Sequence, residues 1–152
     1  MQFYLYSRYM NQSVPKALRY ARILVAIEIT RLFGIILFSG IQNGTLPNTS
    51  ALFGVGDALV GITALPVWYV LGRGRLRTYA LVMAWVTFGL VDLIYAVVDG
   101  ALAGLLPALS TLLGVGIVAV PFNIVVQLVT LVLLLNRPVL DYMARPYPNN
   151  PR

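Results

Sequence analysis

Glu28, Arg31, Asp57 and Asp92 fall within stretches that are otherwise apolar enough to cross a bilayer. An ionised side chain deep in a membrane costs at least ~2.5–3.5 kcal/mol, so such groups face a bundle interior, pair with one another, or line a ligand or ion path. Together these four could hold a cation, share a proton, or join helices through charged hydrogen bonds. Cysteine and histidine are both absent. That removes disulfides, thiol catalysis, the usual zinc ligands and histidine-ligated haem, so neither a metal nor a cofactor is expected. No nucleophile stands beside a base and no phosphate loop occurs, so the chain is not expected to be an enzyme.

The elements that must position these residues follow from composition. The chain has 152 residues, of which 59% are hydrophobic and 11% charged, and its mean hydropathy is +0.83. This predicts an all-α integral membrane protein with a single transmembrane domain, 1–152, built as a four-helix bundle. The apolar runs place spans at 23–41, 51–71, 79–98 and 114–135. The third closes at Asp99-Gly100, where Asp99 reads as a helix-end residue in water. Residues 101–113 are too few for another span and a turn, and read as a short interfacial helix or re-entrant connector. A polar tail carrying a solvated Asp141 follows the fourth span. The first span is longer than a signal-peptide core and begins too far into the chain, so it is expected to stay in the mature protein.

Orientation follows from the basic residues. Of the eleven, all but Arg31 precede the first span, join the second to the third, or follow the fourth. Both termini and the basic turn at Arg73, Arg75 and Arg77 are therefore expected on the cytoplasmic side of the membrane. The net charge of +6 predicts contact with anionic headgroups on that side. It is split among three short segments, which argues against nucleic acid as a partner. Aromatic residues among the first twenty, together with Trp68, Tyr69 and Tyr142, suit the headgroup level.

Helical rise puts the polar residues on a common depth scale. Measured from the cytoplasmic edge at ~1.5 Å per residue, Glu28 lies about 8 Å deep, Arg31 and Gln127 about 13 Å, and Asp57, Asp92 and Asn123 about 20–21 Å. Two polar layers emerge, with Thr63 and Thr87 joining the inner one. Asp57, Asp92, Asn123, Arg31, Gln127 and Tyr95 are accordingly the candidate ligand-binding residues. Arg31 has two choices. It can pair with Glu28 one turn before it, or reach toward the two aspartates, although a helical side chain leans toward its own N-terminus. In the first case Asp57 and Asp92 lack a cation, and one of them is expected to hold a proton. A purely structural role is the competing account, with the acids hydrogen-bonded to Asn123, Tyr95 or freed backbone. Gly54 and Ala58 form a small-residue pair for close helix approach, Gly56 would leave Asp57 open to a cavity, and Pro121 predicts a kink near Asn123.

Gly56-Asp57 with Ala58 to Ala64, Trp85 with Gly89-Leu90-Val91-Asp92-Leu93, and Val120-Pro121 before an apolar final helix resemble a group of small bacterial four-helix membrane proteins without characterised function. The resemblance covers roughly residues 25–137. It implies a four-span fold in a bacterial cytoplasmic membrane and no activity. Members of that group often carry histidine where this chain has Gln127, so histidine-dependent chemistry is not implied here. The chain is also similar in outline to the emopamil-binding and sigma-2-receptor-like proteins, with four spans, buried acids and a lipid-facing cavity, and matches none of their distinctive motifs.

The functional expectation is binding of a small amphiphilic or cationic ligand in an intramembrane polar pocket, tuned by protonation. Two alternatives stand beside it. One is an accessory subunit or homo-oligomeric scaffold whose buried charges set helix register. The other is a small proton-coupled transporter, for which internal pseudo-symmetry is weak.

Overall fold

The computed structural model describes residues 15–73, 76–102, 104 and 116–144. The aromatic arm before Pro15, most of the 101–113 connector and the end of the tail lie outside the described residues. Helix α1, Lys16–Ile27, starts after Pro15, whose carbonyl accepts the N–H groups of Leu18 and Arg19 at 2.8 and 3.3 Å. It passes into an eight-residue 3₁₀ segment, Glu28–Ile35, and then into α2, Ile36–Gln42. The three form one helical run of 27 residues. Helices α3, Ala51–Leu71, α4, Leu76–Leu102, α5, Gly116–Leu134, and α6, Arg137–Ala144, complete the order.

Two apolar clusters fix the up-and-down arrangement. One gathers Leu18, Ala21 and Val25 from the start of the first run, Leu71 from the end of α3, Val82 from the start of α4, Leu134 from the end of α5, and Val139 and Met143 of α6. The basic residues Lys16, Arg19, Arg22, Arg73, Arg77 and Arg137 sit at this same end. The other cluster, at the opposite end, packs Leu37 of α2, Leu46 of the first loop and Phe53 of α3, with Ala96 of α4 beside them. The first run packs on α3 and α5, and α4 also packs on α3 and α5. The first run and α4 therefore face each other across the bundle. The outward surfaces stay apolar: Phe33, Ile62, Leu81, Val118 and Val132 are all exposed.

Three elements depart from the sequence expectation. The run Lys16–Gln42, α3 and α4 are each long and apolar enough to cross a membrane, whereas α5 reaches that standard only as a pair with α6, to which it is bent by 62°. Helix α4 does not close at Asp99-Gly100 but runs on to Leu102, with Gly100 buried. The start of the polar tail is helical, since the Asn136 carbonyl accepts the N–H groups of Val139 and Leu140 at 2.9 and 3.1 Å and Val139 and Met143 dock on the core. Helix α5 is helical through Pro121. Gly114 lies outside the described residues.

Close approach of the first run to α3 rests on glycines of both. A Cβ on Gly61 would lie 2.8 Å from the backbone nitrogen of Leu32, and one on Gly54 would lie 3.0 Å from the Phe38 ring. Small residues let helix backbones meet in this way.

Candidate functional site

The 3₁₀ segment determines which side chains share a line. At three residues per turn, positions 28, 31 and 34 are stacked in register, whereas in an α-helix each step would drift by about 60°. Glu28, Arg31 and Gly34 are accordingly all buried. The larger 3₁₀ rise also carries Arg31 about 2 Å further along the bundle than uniform α-helix would. That displacement brings a side chain from the inner polar layer within reach of the outer one.

Arg31 uses this position to join three helical elements. Its Nε donates to Asp57 Oδ1 of α3 at 2.7 Å, and its Nη1 donates to the Gly89 carbonyl of α4 at 3.1 Å. Nη2 donates to Asp92 Oδ2, also on α4. Glu28 Oε2 lies 3.9 Å from Nη1, within ion-pair range and beyond a hydrogen bond. Arg31 thus takes the aspartates as its hydrogen-bonded partners and keeps Glu28 as a longer-range neighbour. The planar guanidinium, with five N–H groups in a fixed fork, suits such convergence in a way a lysine would not.

Glycines make room for the cluster. A Cβ on Gly34 would lie 2.5 Å from Asp57 Cβ, one on Gly56 would overlap the Asp92 carboxylate, and one on Gly89 would lie 2.5 Å from Gln127 Nε2 and 3.0 Å from Arg31 Nη1. The space beside Gly56 is therefore filled by Asp92 and is not a cavity next to Asp57. Access is uneven. Arg31 and Glu28 are sealed, while the Asp57 side chain is 24% exposed and that of Asp92 13%.

A family described as a domain of unknown function, DUF8737, matches residues 1–135. The chain belongs to this family. No curated protein and no solved structure matches it. The DUF8737 match spans every residue of the Arg31 cluster, and it brings no activity with it.

Within this DUF8737 chain, Asp57, Asp92, Arg31 and Gln127 are brought to one region. Asn123 lies one helical turn from Gln127 on α5; it is buried, and its Oδ1 has no hydrogen-bond partner. Tyr95 packs edge-on against Phe53 at 5.9 Å between ring centres and is 47% exposed. Thr63 accepts a hydrogen bond from Trp85 Nε1 at 2.8 Å, which ties α3 to α4, and Thr87 faces outward. Sequence reasoning left Glu28 out of the site as a local partner of Arg31, and it did not anticipate the Gly89 carbonyl. The period-three run Glu28, Arg31, Gly34 was the available signal for a tighter helix. Among the described residues, no group of three or more acidic side chains could hold a metal ion.

Proposed function

We propose that the chain is a multi-pass membrane protein of four spanning helices, both termini on the cytoplasmic side, whose Arg31 cluster receives a small cationic or amphiphilic ligand in a proton-linked manner. Apolar outward surfaces support the membrane assignment, and the basic end suits contact with anionic headgroups. One observation carries the ligand reading: a single guanidinium stands among three carboxylates, of which Asp57 and Asp92 retain access from outside. Negative charge in excess of its partner is expensive in an apolar interior, so a cation approaching Asp57 relieves it. Arg31 is sealed behind the acids and takes no part in recognition beyond holding them.

The test is retention of tetraphenylphosphonium, a lipophilic cation, by the full chain in lipid nanodiscs. Asp57→Asn and Asp92→Asn should each weaken retention by about tenfold or more, the equivalent of ~1.4 kcal/mol. Unchanged retention in both variants would rule out the reading. A second reading is favoured by the same hydrogen bonds: an accessory subunit or homo-oligomeric scaffold in which Arg31 sets helix register. It predicts altered migration in detergent for both variants, with no cation retained by the unaltered protein.

A further inference from the structure

Glu28 and Gln127 present the least satisfied polar surface in the described part of the molecule. Glu28 is 1% exposed and Gln127 0%, yet Glu28 Oε1 and Oε2 and Gln127 Oε1 and Nε2 all lack a hydrogen-bond partner. Buried polar atoms are paired in the great majority of cases, because an orphan loses its hydration without compensation. Four orphans on two residues therefore call for one explanation. The residues share a neighbour: Glu28 Oε2 lies 3.9 Å from Arg31 Nη1, and a Cβ built on Gly89 would lie 2.5 Å from Gln127 Nε2 and 3.0 Å from that same Nη1.

Charge narrows the choice. Arg31 already donates to Asp57 and Asp92, so that trio is short of positive charge before Glu28 is counted. An ionised Glu28 would add a second uncompensated charge in a sealed site, with the Arg31 Nη1 group 3.9 Å away as its nearest cation and Asp57 and Asp92 competing for it. The group that α5 brings beside Arg31 is the uncharged Gln127, and the α4 contact of the cluster comes through Asp92 and the Gly89 carbonyl. A neutral carboxylic acid meets every condition. Small rotations of the two side chains would let its O–H donate to Gln127 Oε1 while Gln127 Nε2 donates to the other Glu28 oxygen, and such a cyclic acid–amide pair would satisfy all four atoms with one proton taken from water.

We infer that Glu28 and Gln127 form a proton-binding site, a carboxylic acid–amide pair distinct from the Arg31–Asp57–Asp92 trio. It deepens the proton-linked element of the proposed function by naming the residue that holds the proton. Releasing that proton would add negative charge beside Arg31 and draw the guanidinium toward Glu28, loosening its hold on the two aspartates. Proton and cation occupancy are thereby coupled through one side chain.

Infrared spectroscopy of the full chain in lipid at neutral pH tests this. The unaltered protein should show the C=O band of a hydrogen-bonded carboxylic acid that shifts in heavy water. Glu28→Gln should abolish it while leaving the fold intact, since an amide in that position still pairs with Gln127; Gln127→Leu should move the band to the higher frequency of an unbonded acid. A missing band in the unaltered protein overturns the inference. So does a band that survives Glu28→Gln and disappears in Asp57→Asn or Asp92→Asn, which would put the proton on an aspartate, and so does a band removed by added sodium, which would make the site one for a metal cation. None of these results depends on tetraphenylphosphonium retention, so the two proposals fail separately.

Discussion

Arg31 and Asp92 meet across the bundle, Nη2 donating to Oδ2, although the helical elements that carry them share no extended packing. The link spans the diagonal between the first helical run and α4, while the bond to Asp57 follows the neighbouring edge to α3. One guanidinium thus fixes the relative rotation of three helical elements; in the proposed membrane setting apolar side chains alone would do this weakly, because lipid tails are equally apolar.

Removing the guanidinium should cost more than removing either aspartate. Arg31→Ala leaves carboxylates buried without a cation, a loss of ~3–5 kcal/mol for a broken buried pair. Asp57→Asn leaves Arg31 paired with Asp92 and should cost less. Arg31→Lys should fall between, since an ammonium cannot serve two carboxylates and the Gly89 carbonyl in one plane. Thermal unfolding in lipid nanodiscs orders the three variants, and an aspartate variant weaker than Arg31→Ala would contradict the arrangement.

Gly34→Ala and Gly56→Ala test the tight seating of the acids. Each new methyl would meet a carboxylate or its Cβ at a distance no relaxed structure holds. Overpacking of this kind costs ~1–3 kcal/mol. The exposed Ser39→Ala, one and a half turns along the same run, should leave the melting temperature unchanged. Equal melting temperatures for all three variants would argue against the close contact.

Much of this arrangement was legible in the sequence, for reasons that differ residue by residue. Asp57 and Asp92 were placed at a common depth because helical rise is nearly constant and their spans run in opposite directions from one basic turn. Their lateral meeting was not legible, since facing depends on which helices are neighbours. Arg31 was ambiguous for a physical reason: α and 3₁₀ geometry differ little in local propensity, and the tighter turn is selected by what Arg31 and Gly34 contact on α3 and α4. The helix at Arg137–Ala144 was missed although it carries its signals, an asparagine before a proline in the first turn and buried Val139 and Met143 four residues apart.

Helix α6 should therefore contribute to stability as well as closing the basic end. Met143 is 1% exposed within the larger apolar cluster. Met143→Ala should cost ~2–5 kcal/mol, toward the low end if the helix end settles into the space. Protease sensitivity after Leu135 should rise in step with the fall in melting temperature. An unaffected melting temperature would mean that α6 lies on the bundle without supporting it.

The sharpest separation of structural from functional roles comes from replacing the whole trio. Breaking a buried ion pair is costly, but exchanging all its members for apolar residues of similar volume is often neutral or stabilising by ~1–4 kcal/mol. The triple variant Arg31→Met, Asp57→Leu, Asp92→Leu removes the charges that α3 and α4 present to the first run and leaves Glu28 with Gln127. If Glu28 is neutral, no ionised side chain stays behind in that region. The triple variant should then unfold at or above the temperature of the unaltered chain, measured by circular dichroism in nanodiscs, while losing tetraphenylphosphonium retention. Stability kept and binding lost would show that the charges are retained for the ligand. Collapse of the fold would assign them to helix register, and preserved retention would remove the cluster from recognition.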